Sequence, residues 1–550
     1  MNAPKPIEIS DGIGSGLREA LVHVVGAQHV ITLEEAIDSA ARATFATSQR
    51  IPALVRPGSR EELLACLAAA RAFGTPVYPV SSGRNWGYGS KVPVADGCIL
   101  IELSRMNRIL DFDESLGWVT IEPGVTQQQL FTFLGERKSR LWMDATGASP
   151  DSSIIGNTME RGFGHTPYGD HASNVCALQV LLPNGDTVQT GMSRFPGAPS
   201  AEVYRWGLGP SLDGLFTQSN FGIVIRMTVW LMPAPEYFQA FFFRCDDHGR
   251  LPDVIDALRP LRMNGTLRSA IHIANDYKVL AGIRQYPWQE AGNRTPLPPE
   301  AMARFREQMK FGAWNGSGGL YGTRAQVAEA RRLLRRALKG KVGRIQFLDD
   351  RLLGLAHRFS RTFGFLSRWD ISRALELVRP VFGLMKGIPT AQPLASTYWR
   401  KRTPPPAQMD PDRDRCGLMW CAPVAPTDGK HAQILSDISS RILLNHGFEP
   451  MLSITLITER ALVCVISLTY DREVLGEDER ARVCYDELQN ELEAAGYRPY
   501  RLGIQSMSHA ASEDASGRLL EAIRNFVDPK NILAPGRYRT LPNKELLETK

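Results

Sequence analysis

Pro79-Val80-Ser81-Ser82-Gly83-Arg84-Asn85-Trp86-Gly87-Tyr88-Gly89 and, further along, Ile154-Ile155-Gly156-Asn157 running to Thr166-Pro167-Tyr168-Gly169-Asp170-His171 are the stretches whose reading decides the fold. Both are glycine-rich and both sit between strand-like runs, so together they read as the two walls of a dinucleotide site. Glycines let a backbone come close to a phosphate and turn its N–H groups toward the anion, and the hydroxyls of Ser81 and Ser82 add hydrogen bonds. Neither stretch is a GxGxxG loop or a GxxxxGK[ST] loop. This argues against a nicotinamide Rossmann domain or a P-loop ATPase and toward another nucleotide fold.

Working outward, Arg60 to Phe73 carries Leu63, Leu64, Leu67 and Ala70 at helical spacing and leads through Gly74-Thr75-Pro76 into a strand at Val77 to Val80, an αβ unit that ends at the first loop. Strand-like runs recur at Cys98 to Leu103, Trp118 to Ile121 and Cys176 to Leu182, the last followed by the turn Pro183-Asn184-Gly185-Asp186 and a return strand. From about Phe238 long charged helices (Arg324 to Lys339, Gly476 to Ala495) alternate with apolar strands (Met451 to Leu456, Ala461 to Leu468), and Gly496 ends the last of those helices. Thr403-Pro404-Pro405-Pro406 is a short extended spacer. The class is α+β.

A chain of 550 residues exceeds the ~100–200 residues usual for one domain and predicts two large ones. The net charge of +6 is spread over interspersed signs with no Lys/Arg block, so no nucleic-acid partner is expected. No apolar run reaches the length of a membrane span, and Met1 to Ser15 lacks a basic start followed by an apolar stretch; a soluble cytoplasmic protein is expected. The eight cysteines are scattered, contain no CxxC pair and read as reduced, mostly buried thiols. The histidines form no cluster with ligand spacing, so no metal is expected.

The two loops, with Trp118-Val119-Thr120-Ile121-Glu122-Pro123-Gly124-Val125, Asp213-Gly214-Leu215-Phe216-Thr217-Gln218-Ser219-Asn220-Phe221-Gly222-Ile223-Val224, Trp230-Leu231-Met232-Pro233, Gly496-Tyr497-Arg498-Pro499-Tyr500-Arg501 and Val527-Asp528-Pro529-Lys530-Asn531-Ile532-Leu533-Ala534-Pro535-Gly536, carry a resemblance in the same chain order. The chain resembles the vanillyl-alcohol oxidase and p-cresol methylhydroxylase flavoprotein family from about residue 50 to 537, most weakly in its middle third. The resemblance implies an FAD enzyme with a two-domain fold of the p-cresol methylhydroxylase (PCMH) type and an inserted α+β, ferredoxin-like cap. The implied spans are 1–237 for the FAD domain, 238–497 for the cap and 498–550 returning to the FAD domain. It also implies cofactor contacts from Pro79, Ser81, Ser82, Gly83, Arg84, Asn85, Gly87, Pro123, Gly124, Ile155, Gly156, Asn157, Arg161, Gly162, Gly164, Tyr168, Gly169, Asp170, His171, Gly222, Ile223 and Arg537.

Flavin oxidation at the benzylic carbon of a phenol runs far more readily from the phenolate, because a quinone methide then forms. An unperturbed phenol has a pKa of about 10, so holding it ionised near neutrality requires ~4 kcal/mol, within reach of a cation plus two charge-assisted hydrogen bonds. Carried over by motif, Tyr88, Tyr500 and Arg501 take this role, their ordinary alternatives being pocket cover and surface packing. The family's aspartate near flavin N5 falls on or near Gly147 in Trp142-Met143-Asp144-Ala145-Thr146-Gly147-Ala148-Ser149-Pro150-Asp151. The base role then passes to Asp151, or Asp151 only caps the turn before Ser152 and Ser153.

The family's histidine tether for FAD aligns with Cys416-Gly417-Leu418-Met419-Trp420-Cys421, where Leu418 or Met419 stands and neither can form the bond; a non-covalent FAD is expected, with Tyr398 the nearest residue that would contradict it. His171 beside Asp170 reads as positioning the cofactor rather than as a catalytic pair, and His165 replaces the tyrosine common in relatives, shaping the pocket or packing. The implied substrate is a 4-alkylphenol, 4-allylphenol or 4-hydroxybenzyl alcohol, the acceptor oxygen or a partner such as a cytochrome c, and the assembly a homodimer or larger. The rivals are a relative acting on a non-phenolic hydroxy acid or sugar lactone, and a non-catalytic flavin-binding subunit.

Overall fold

The computed structural model describes residues 13–355, 371–510 and 514–538. Most of the Met1 to Ser15 stretch and the outer ends of the implied spans 1–237 and 498–550 lie outside them. The Arg60–Ala72 helix forms where its apolar spacing predicts, with Ser59 accepting from the Glu62 N–H at 3.2 Å as its N-cap. It feeds the Val77–Val80 strand, which pairs in parallel with Ile99–Glu102. Leu54–Val55 and Val30–Ile31 complete that four-stranded sheet. A five-stranded antiparallel sheet orders Ile109–Asp113, Trp118–Ile121, Ile223–Trp230, Val175–Leu181 and Thr187–Gln189. The first glycine-rich loop follows Val77–Val80 of the four-stranded sheet, and the second precedes Val175–Leu181 of the five-stranded one.

The strands from Tyr237 to Asp471 build one eight-stranded antiparallel sheet. Because side chains alternate across a strand and antiparallel partners share a face, its two faces differ sharply. One face carries Ile271, Ile273, Leu452, Ile454, Cys464, Ile466 and Leu468 into a core with the helices Leu251–Met263, Arg324–Leu338, Gly429–Asn445 and Glu477–Ala494. The other carries the register pairs His272 with Thr455, Ala274 with Ser453, Trp420 with Ser467 and Leu418 with Thr469. A polar, inward-turned sheet face is a roof for a site rather than half of a core. All eight cysteines are buried and free.

After the Glu477–Ala494 helix and Gly496 at φ +86°, the chain returns to the first sheets. Val77 N–H donates to Ile532 O and Ala534 N–H to Val77 O, both at 2.8 Å, so 532–534 adds a rung to the Val77–Val80 strand. The buried Asp528 carboxylate holds this turn by accepting from Ile532 N–H at 3.0 Å and Leu533 N–H at 2.8 Å. Removing it strands two buried donors, each at about 1–3 kcal/mol. Asp528→Ala is therefore expected to destabilise the protein by about 2–4 kcal/mol, measured by denaturant or thermal unfolding; an unchanged midpoint would show that the return segment does not depend on this turn.

Candidate functional site

The two glycine-rich loops touch. Ser153 N–H donates to Ser82 Oγ at 3.1 Å, and a Cβ on Gly156 would lie 3.3 Å from Ser81 Oγ. Ser153 caps the Ile154–Met159 helix, accepting from Gly156 N–H at 2.9 Å while its hydroxyl donates to Pro123 O at 2.7 Å. Between the loops lies a cavity of about 1500 Å³, a volume that includes its open mouth. Pro79, Ser81, Ser82, Gly83, Arg84, Asn85, Ile155, Gly156, Asn157, Gly222, Ile223 and Arg537 line it. Arg537 pairs with Glu160 and donates to the Tyr78 hydroxyl at 2.7 Å.

The remaining expected cofactor residues stand behind this wall, several for a different physical reason. A Cβ on Gly124 would meet three backbone carbonyls at 2.7–2.8 Å, and one on Gly164 would overlap Asp144 Oδ2 at 1.5 Å. Gly162 is crowded in the same way by the Asn157 side chain. These glycines admit carbonyls and side chains, not phosphate. Gly87 packs on the Trp420 ring, and Arg161 adopts a left-handed φ of +53° at the exposed turn after the short helix. Asp170 accepts from the Ser173 hydroxyl, and Gly164 N–H donates to Gly169 O at 2.9 Å. His171 bridges the walls, its Nδ1 2.7 Å from Asn157 Oδ1 and its Nε2 2.6 Å from Asp144 Oδ2; Tyr168 lies beside this bridge. Asp144 also accepts from the N–H groups of His165 (3.2 Å) and Thr166 (2.6 Å). Burial pushes its carboxyl up, and the His171 hydrogen bond and charge outweigh that and hold it below the usual value. Nothing in the Trp-Met-Asp triplet distinguishes this carboxylate in the sequence; its importance comes from where the loops fold.

Tyr88, Tyr500 and Arg501 converge from opposite ends of the chain. Tyr500 N–H donates to Ala422 O at 3.1 Å, the Gln218 amide donates to Tyr500 O at 2.9 Å, and Ile504 N–H donates to Tyr88 O at 3.0 Å. These bonds lay the Arg501 guanidinium 3.8 Å from the Tyr88 ring centroid and 5.6 Å from that of Tyr500. Arg501 lines the cavity and makes no ion pair among the described residues. Burial drives the Tyr88 phenol well above its usual value, Tyr500 adds to that and Arg501 opposes it, so Tyr88 is a neutral donor.

Asp151 is not brought to this group. It is exposed, its N–H donating to Ser149 Oγ at 3.2 Å, and it does not line the cavity; no role as base is carried forward. At the tether position Leu418 lines the cavity while Met419 turns into the helix-covered core. Tyr398 is buried with its hydroxyl donating to Asp414 at 2.6 Å. Sequence reasoning did not single out Trp420 or Ser219, which lie far from the glycine loops in sequence and reach the cavity through the fold, or Glu160, which sits inside the second loop.

Four buried polar atoms on cavity-lining residues have no hydrogen-bond partner among the described residues: Ser219 Oγ, Trp86 Nε1, Trp420 Nε1 and Arg501 Nε. Orphaned donors around a large cavity between two touching glycine loops fit a polar dinucleotide. The comparisons agree. Residues 51–191 match the FAD binding domain family. The chain is 46% identical over 521 residues to 1'-carboxy-chondrochloren decarboxylase of Chondromyces crocatus, covering 94% of this chain and 96% of that one. It is 32% identical over 464 residues to the 4-cresol dehydrogenase [hydroxylating] flavoprotein subunit of Pseudomonas putida, covering 84% and 82%. The crystal structure of p-cresol methylhydroxylase with substrate bound superposes with a TM-score of 0.84 at 29% identity, covering 96% and 98%. FAD is the cofactor.

Gly156→Val would fill the loop junction and is expected to lower FAD affinity at least tenfold in a folded protein, read as flavin content and by titration of the apoprotein. A second expectation concerns pH. Asp412 accepts from Ser90 Oγ at 2.8 Å behind the cavity wall, and burial pushes it up to about 7. The folded state then binds a proton that the unfolded state has released, so this stability is full at acid pH and falls as pH rises from about 4 through 7. Asp412→Asn is expected to raise the melting temperature relative to the parent increasingly toward pH 7, with no gain near pH 4.

Proposed function

This chain belongs to the PCMH-type family of FAD-linked oxidoreductases, and we propose that it oxidises para-substituted phenols at the carbon attached to the ring. The observation that carries the reading is Arg501: a buried guanidinium with no ion pair among the described residues, flanked by two phenolic side chains. Such a group is built to receive an oxyanion, and Arg501 with the neutral Tyr88 hydroxyl supplies the charge and hydrogen bonding that a phenolate needs. Trp420 meets Tyr88 edge to face at 5.5 Å, excluding water from the site. When bound, FAD supplies the hydride acceptor. Loss of hydride from the phenolate side chain leaves a quinone methide, an electron sink that is discharged either by water or by release of a group on the next carbon. The relative named a decarboxylase acts on a carboxylated compound, which favours the second fate.

A hydroxy-acid substrate gripped by Arg501 through its carboxylate is the rival, and it leaves Tyr88 and Tyr500 without a task. The acceptor that re-oxidises the cofactor is oxygen or an electron-transfer protein, the latter in keeping with a relative described as a subunit. No helix among the described residues is long and apolar enough to cross a membrane. The cofactor is held without a covalent bond, since Leu418 offers no nucleophile and the Tyr398 hydroxyl is engaged by Asp414.

Mixed without oxygen with 4-alkylphenols, 4-hydroxybenzyl alcohols and hydroxy acids, the holoenzyme is expected to lose its oxidised flavin band with phenols alone; bleaching only by a hydroxy acid would refute the reading. Arg501→Ala is expected to lower kcat/KM by about 10²- to 10³-fold and Tyr500→Phe by about 10-fold, with flavin content retained. Acid precipitation is expected to leave the flavin in the supernatant, and a coloured pellet would reverse the assignment of a non-covalent link.

A further inference from the structure

Gly147 lines the cavity without a side chain, and the space where one would start is bordered by two groups. A Cβ there would lie 3.4 Å from the Pro393 ring and 3.5 Å from His165 Nε2. His165 Nε2 has no hydrogen-bond partner among the described residues, whereas its Nδ1 lies 3.0 Å from His272 Nε2, and His272 Nδ1 lies 3.1 Å from Thr455 Oγ1. Burial lowers both imidazoles, His165 to about 4, so the pair is neutral near pH 7. A neutral chain of this kind has two proton arrangements. In one, the Thr455 hydroxyl donates to His272, His272 Nε2–H donates to His165, and His165 Nε2–H points at the space beside Gly147. An anion in that space selects this arrangement.

A second observation reaches Pro393 through the Ser396 hydroxyl. The Lys278 ammonium donates to the hydroxyls of Ser396 (3.3 Å) and Ser467 (3.2 Å), and among the described residues no carboxylate pairs with it. Ser396 in turn donates to Pro393 O at 2.9 Å. An enclosed cation left without a counter-charge gives this end of the site a positive potential. The Phe163 ring joins the two ends of the wall, 6.4 Å from His272 and 5.7 Å from Tyr500. One molecule with an oxyanion at Arg501 and an anion on its para side chain matches both ends.

We propose that the space beside Gly147, faced by His165 and backed by Lys278, receives a carboxylate on the para side chain of the phenolic substrate, and that benzylic oxidation is thereby coupled to loss of that carboxylate as CO2. This rests on the phenol-oxidising reading. The substrate class is a 3-(4-hydroxyphenyl)propanoate, HO–C6H4–CH2–CHR–COO⁻. Hydride leaves the benzylic carbon for the oxidised flavin, the named oxidant, and the phenolate becomes a quinone methide. The bond to the carboxylate carbon then breaks. Its electron pair forms the side-chain double bond while the exocyclic pair returns to the ring and restores the phenolate. CO2 departs, no water enters, and the product is a 4-hydroxystyryl compound.

The same residues explain why water addition is disfavoured. Glycine at 147 offers no carboxylate to activate water, whereas release of CO2 requires no base. A neutral imidazole orients the carboxylate by one hydrogen bond without pairing its charge, so the departing group is not held back by a tight ion pair.

The test compares 3-(4-hydroxyphenyl)propanoate, its amide and 4-propylphenol on the holoenzyme without oxygen. The acid is expected to give 4-vinylphenol and CO2 one to one with flavin reduced, and to exceed the amide in kcat/KM at least tenfold. Binding of 4-hydroxycinnamate, which has no benzylic hydride, is read by calorimetry against neutral 4-vinylphenol. His165→Phe and Gly147→Asp are expected to lower the preference for the acid at least tenfold in both readouts, with Lys278→Met as a second route should either variant fold poorly. Equal handling of acid and amide, or an oxidised product that keeps its carboxylate, would overturn the subsite while leaving oxidation of 4-propylphenol in place. A flavin left oxidised by every phenol would instead remove the reading on which the subsite rests.

Discussion

An arginine enclosed with no ion pair among the described residues is the constraint on which this site turns. Burying a charge is expensive unless something replaces its water, and here two phenolic side chains do so at close range while the Glu160 carboxylate acts without pairing. The guanidinium cannot be placed by local structure. Tyr500 is pinned to Ala422 and Gln218, and Ile504 to Tyr88, so segments from the start, middle and end of the chain must all be in register before Arg501 faces the cavity. The positive centre is therefore rigid, which is what stabilisation of a developing oxyanion requires.

The opposite wall is organised by a carboxylate. Asp144 gathers His171 and the N–H groups of His165 and Thr166, and through His171 it reaches Asn157 on the cavity wall. This bonding fixes the loop that carries His165, and it explains Gly164, whose missing side chain is the space Asp144 occupies. Arg501 and Gly147 line the same cavity, and the proposed subsite sets a neutral imidazole, His165, at the Gly147 side opposite the permanent cation. That division suits a molecule whose phenolate must persist through the reaction and whose carboxylate must leave.

The local elements were legible in the sequence. Apolar spacing marks the Arg60–Ala72 helix, alternation with turn residues marks the strands around Pro183 to Asp186, and Gly496 ends its helix with positive φ. The glycine loops were legible as a pair because close backbone approach leaves a compositional trace. Their individual glycines were not: Gly124, Gly162 and Gly164 accommodate carbonyls and side chains, a distinction that depends on what packs opposite each one. Asp151 follows Gly147 closely along the chain, but proximity in sequence across a turn does not set direction, and it is exposed to solvent.

The sequence by itself determined the cofactor class, the order of the nucleotide loops and the Tyr-Arg dipeptide, because these rest on residue types in short contiguous motifs whose chemistry is local. Only the tertiary structure decided that Arg501 makes no ion pair among the described residues, that His165 and His272 form one hydrogen-bonded chain, and that Lys278 meets hydroxyls where a carboxylate would be usual. Those properties depend on the partners a side chain finds across distant strands, and pairing across a folded interior leaves no local pattern in the sequence.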